Sequence, residues 1–128
     1  MALTVTQRRV REGVTAIYTA TVQDEHANAL EPADLTTLTL TLYDKTTGTI
    51  INSRDGQSIL NTNNVTIASG GLLTWTMQPA DNAIVTTASF ASGQYEKHIA
   101  LFEWTWNSGA KAGKYEVQID VEQMTKVP

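Results

Sequence analysis

The chain has 128 residues, a mass of 14.0 kDa and 41% hydrophobic residues, which suits one domain with a genuine core. Its formal net charge of -4 and pI near 5.0 argue against a general nucleic-acid binder, which needs a basic face to displace counterions. The absence of cysteine excludes disulfides, thiolate nucleophiles and cysteine-based zinc sites, and points to folding in a reducing cytoplasm.

Met1 to Val10 hold no apolar stretch long enough for a signal peptide, and no run in the chain approaches a membrane span. Leu3 to Val10 reads as a strand or an extended arm, and residues 1–12 are set apart as that arm. Arg8, Arg9 and Arg11 crowd here and form the sharpest charge feature of the chain. Val14 to Val22 is a strand, with Val14, Ala16, Tyr18, Ala20 and Val22 on one face. Gln23 to Asn28 is a polar turn. Pro32-Ala-Asp34 opens a loop in which proline suits the first position of a helical turn.

Leu35 to Asp44 alternates Leu38, Leu40 and Leu42 against Thr37, Thr39 and Thr41, the mark of a half-buried strand. Gly48 sits in a turn, Thr49 to Asn52 is a short return strand, and Asp55-Gly56 marks another turn. Val65-Thr-Ile67 and Leu72 to Met77 are strands joined by Ser69-Gly-Gly71; Leu73, Trp75 and Met77 share a face. A second Pro-Ala-Asp at Pro79 ends that strand, and Thr86 to Gln94 reads as a loop. Ile99, Phe102, Glu103 and Trp106 also fit helical spacing, but the aromatic and threonine content favours a strand over Glu96 to Trp106. In that strand Phe102, Trp104 and Trp106 pack inward and Leu101, Glu103 and Thr105 form the less buried face. Lys114 to Glu122 is the clearest strand, with Tyr115, Val117, Ile119 and Val121 opposing Glu116, Gln118, Asp120 and Glu122. About seven or eight short strands predict an all-β, single-domain antiparallel sandwich over residues 1–128.

Chemistry-bearing groups are sparse. His26 and His98 each neighbour carboxylates, but adjacent strand residues face opposite ways, so both clusters read as charged surface turns and not as metal sites. No Gly-x-Ser-x-Gly elbow, phosphate loop or dinucleotide fingerprint is present. Glu103, the one carboxylate on an apolar strand, would need a partner carboxylate across a cleft to act as a glycosidase acid. The predicted catalytic, cofactor and metal residues are therefore none. Trp75, Trp104 and Trp106 raise a carbohydrate-binding reading, which requires at least two exposed rings on one surface. Asn64-Val-Thr66 matches a glycosylation sequon by accident of sequence.

Several segments together carry a family resemblance. They are Arg11-Glu-Gly13 before a threonine-rich strand, Asp24-Glu25 and Pro32, and Leu38 to Asp44 with Thr47 to Arg54. Gly71 to Trp75 with Pro79-Ala-Asp81 follow, then Glu96-Lys-His98 before Phe102 to Trp106, Tyr115 to Val121, and Lys126-Val-Pro128. In that order the chain resembles the small immunoglobulin-like β-sandwich proteins of tailed-phage virions. The resemblance implies a structural role in capsid decoration, at the head–tail junction or in the tail. It implies partners among capsid, portal or tail proteins and copies of itself, without nucleic acid or membrane. It places the protein in the virion after synthesis in the host cytoplasm. The contact residues expected on this reading are Arg8, Arg9 and Arg11 of the arm and Glu116, Asp120 and Glu122 of the last strand, whose opposite charges would meet head to tail between copies. A carbohydrate- or receptor-binding module of a phage tail is the second reading.

Overall fold

The computed structural model describes residues 6–85 and 95–123, of which 6–8 enter as backbone only. Two sheets pack face to face. The first has the strand order β1-β8-β7-β3-β4, built from β1 (Thr6–Arg11), β3 (Leu35–Asp44), β4 (Gln57–Ser58), β7 (Tyr95–Trp106) and β8 (Lys111–Glu122). The second has the order β2-β6-β5, from β2 (Ala16–Thr21), β5 (Val65–Ala68) and β6 (Leu72–Met77). All pairings are antiparallel except β1 with β8, which is parallel.

The alternation read from the sequence becomes the core. Leu38, Leu40 and Leu42 of β3 are fully buried, and Val117, Ile119 and Val121 of β8 lie on the same inner side. Tyr18, Leu73, Trp75 and Met77 face them from the smaller sheet. Tyr18 stacks on Phe102 of the opposite sheet at 5.9 Å between centroids, and Trp75 meets Phe102 edge-on at 5.8 Å. This aromatic triad pins the two sheets in a chain without cysteine.

Both Pro-Ala-Asp segments form 3-10 turns, at Pro32–Asp34 and Pro79–Asn82. In each, the aspartate carboxylate accepts the N–H of the residue before proline: Asp34 from Glu31 at 3.2 Å and Asp81 from Gln78 at 2.7 Å. Four residues of sequence thus encode the same local device twice. Gly71 is required by a close approach: a Cβ there would lie 2.8 Å from the carbonyls of both Val22 and Leu30. Gly113, opposite Trp104 in the β7–β8 register, leaves the room that the indole ring fills.

One expectation changes. Thr49 to Asn52 makes only an isolated bridge from Ile50 to Tyr43, and the strand beside β3 is instead the two-residue β4, which has no alternation to reveal it. Of the two readings of the N-terminal segment, strand or extended arm, residues 6–11 take the strand, as β1 in their own chain's sheet. The loop expected over Thr86 to Gln94 falls outside the described residues.

Candidate functional site

Parallel pairing sets the arginines of β1 beside the acids of β8. The register places Arg9 opposite Asp120 and Arg11 opposite Glu122, while Arg8 is opposite Ile119. Lys97 and Tyr95 of β7 stand on the other side of Asp120 and Glu122. Asp120 therefore sits between two cationic residues on the outer face. The Arg9 guanidinium lies 5.2 Å from the centre of the Tyr95 ring, and Arg11 Nε approaches Glu122 Oε1 at 3.8 Å. Glu12 continues the strand by donating its N–H to the Glu122 carbonyl at 3.0 Å.

Of the six expected contact residues, the fold joins Arg9 and Arg11 to Asp120 and Glu122. Glu116 is exposed further along β8, opposite Leu101, outside the span of β1. The Arg8 side chain lies outside the described residues. The opposite charges therefore lie side by side within one chain, on strands that the parallel β1–β8 pairing brings together. Asp120 is also 4% exposed and accepts a hydrogen bond from Gln118 at 3.0 Å, so it is part of the sheet's packing and not a solvated charge.

The tryptophans are core residues: Trp75, Trp104 and Trp106 are 0%, 3% and 9% exposed. Trp104 Nε1 donates to the Gln23 carbonyl at 3.1 Å, which fixes the ring in place. The stacking platform that sugar binding needs is not built from these rings. Below Trp106 a groove of about 350 Å³ runs past Asp24, Glu25 and Lys114. Glu25 there is ion-paired to Lys111. The Lys111 hydrogen bond holds the Glu25 carboxyl below the ordinary glutamate range. Asp24 is lowered in turn, first by the Asn28 N–H that it accepts at 3.0 Å.

Sequence reasoning missed two interior polar groups. The first is Arg54, 2% exposed, whose Nε and Nη2 donate to the two carboxylate oxygens of Asp81 at 2.6 and 3.1 Å. Its Nη1 reaches Gln57 and the Asn63 carbonyl, Nη2 also reaches Asn64, and the guanidinium lies over the Trp75 ring. The repeated Pro-Ala-Asp was the available signal, since it predicts an anchored aspartate, though not the arginine that meets it.

The second is Glu96 with His98, 1% and 0% exposed, against the surface turn expected for them. Adjacent residues do face opposite ways on a strand, but these two are separated by Lys97 and so share the inner face. His98 Nε2 lies 2.5 Å from Glu96 Oε1, which also accepts the Val85 N–H at 2.9 Å. Asp44 is the cross-strand neighbour of His98 and is itself 1% exposed.

A scan against protein-family models finds no match, and no curated protein matches significantly. Among the described residues no helix is long and apolar enough to cross a membrane.

Proposed function

We propose that this chain is a non-enzymatic structural protein of a tailed-phage virion, assembling in many copies on the capsid or in the head–tail and tail region. The observation that carries the reading is the β1 edge. β1 is six residues long, ends the larger sheet among the described residues, and shares its outer face with cationic Arg9 and Arg11. An open edge offers main-chain hydrogen bonds to a neighbour's strand, and cationic side chains along it turn away indiscriminate pairing and leave an acidic partner favoured. Two of the other edges suit this less well. β4 has two residues, and the Ile67 N–H of β5 is already taken by the Asn61 side chain at 2.8 Å. Weak edge contacts gain strength when symmetry repeats them.

The strand order supports the immunoglobulin-like part of the reading. A sheet ordered β1-β8-β7-β3-β4 facing one ordered β2-β6-β5 matches the division of strands in a variable-type immunoglobulin sandwich. The buried guanidinium of Arg54 is paired with Asp81, which is how a scaffold uses buried charge. With the tryptophans buried, no observation favours the carbohydrate-binding reading over this one.

The test is charge reversal at Arg9 and Arg11 to glutamate, with incorporation into particles followed by quantitative mass spectrometry. A folded variant, checked by circular dichroism, is expected to be lost from the particle. Incorporation at the wild-type copy number would contradict an assembly role for β1.

A further inference from the structure

We propose that two copies of this chain associate about a two-fold axis by stacking the outer faces of their smaller sheets. The chain holds 13 acidic and 9 basic residues, yet none falls in β2, β5 or β6. The side chains of these strands that point away from the core are mostly threonines, with two large apolar exceptions. Ile17 of β2 is 59% exposed and Leu72 of β6 is 44% exposed, the two highest values for large hydrophobic residues among the described residues. Apolar side chains scattered singly over a surface need no partner, but two on one uncharged sheet face mark a contact.

The register arranges this face in rows. Thr19, Thr74 and Thr66 lie side by side across the three strands. Ile17 stands beside Thr76 in the row on one side of them, and Leu72 beside Thr21 in the row on the other. Rows are about 7 Å apart, strands about 4.8 Å apart, and stacked sheets about 10 Å apart. A two-fold axis along the threonine row, midway between two stacked faces, lays β2 over β2 and exchanges the outer rows. Ile17 of each copy then covers Thr21 of the other and stands one strand away from its Leu72. Large side chains meet small ones, and the contact of Ile17 with Leu72 occurs twice, the reciprocity of an isologous interface. Charge selects the same occupant. With a net charge of -4, two copies repel wherever carboxylates meet, and this face brings none together. A charged partner finds nothing here to pair with. The face is smaller than the roughly 20–30 residues a side of a standard interface, so the association is weak and appears at high concentration.

The test is equilibrium sedimentation of the purified full chain over a concentration series reaching about 1 mM. The expected result is a mean mass that rises from the 14.0 kDa of the monomer toward twice that value. Ile17→Lys and Leu72→Glu should each weaken association at least about tenfold, because each sets an unpaired charge in the contact. The double variant should recover it. Its two new charges lie two rows apart within one chain, but the two-fold axis brings the positive one of each copy beside the negative one of the other. Ile50→Lys, at an exposed apolar residue outside this sheet, should leave association unchanged. Circular dichroism checks that each variant is folded. If Leu72→Glu does not fold, Thr19→Lys replaces it, since the axis sets Thr19 of one copy against Thr19 of the other. A monomer throughout the series overturns the proposal and leaves the face to a partner of another kind. So does association that survives Ile17→Lys, is lost in Ile50→Lys, or fails to return in a folded double variant.

Discussion

Arg54 carries its charge into the interior and finds a bidentate carboxylate, a side-chain amide on either side and an aromatic face there. Removing only Asp81 would leave that guanidinium buried without its counterion. Asp81→Ala is therefore expected to cost about 3–5 kcal/mol in urea unfolding, far more than Asp34→Ala in the exposed twin turn. Glu25 gives a milder prediction. Its carboxyl is held below the ordinary value by Lys111, so the pair contributes stability above the ordinary glutamate pKa and loses it as pH falls through the depressed one. Lys111→Ala should move the Glu25 titration back up, as read by NMR of its side-chain carboxyl. At this scale the sequence was legible where one residue type has one habit: the leucines of β3 and the proline that opens the turn at Pro32. It was not legible for Glu96, His98 and Arg54, because burial of a charged residue depends on partners far away in the chain.

Among the elements, the long strands were the most readable. Leu35 to Asp44 and Leu72 to Met77 match β3 and β6 end to end, because strict alternation bounded by turn residues leaves little choice of register. β4 was invisible because two residues carry no period. The edge role of β1 was invisible because pairing with β8 joins opposite ends of the chain, and local pattern holds no information on that. Gly113 shows how far an element depends on a missing side chain. A Cβ at this position would lie 2.7 Å from the Trp104 ring. Gly113→Ala should displace the indole, break its bond to the Gln23 carbonyl and cost about 1–3 kcal/mol, with a shift in tryptophan fluorescence as the check. Deleting residues 1–11 tests β1 itself. Amide hydrogen exchange should then accelerate along β8 and change little in β6.

For the molecule as a whole, the aromatic triad of Tyr18, Trp75 and Phe102 ties the sheets together at the middle of the sandwich. Parallel pairing of β1 with β8 sets their opposite charges side by side along one edge of the larger sheet. This arrangement revises how assembly would work. Charges that already lie side by side in one chain are poorly placed as matched halves for two chains, so in the proposed assembly contact between copies would fall to the backbone edge of β1 and the exposed cations along it. Arg11, with a side chain 68% exposed, keeps most of its surface for such a partner. The composition and alternation were enough to read a sandwich; which strands end its sheets came only with the strand order. The measurement that bears most directly on the proposed assembly role is a cryo-EM reconstruction of virus particles purified from the source that encodes this chain. The account predicts many symmetry-related copies, each with β1 against a neighbouring protein. Absence of the chain from the particle, or contacts made entirely through other faces with β1 open to solvent, would contradict it.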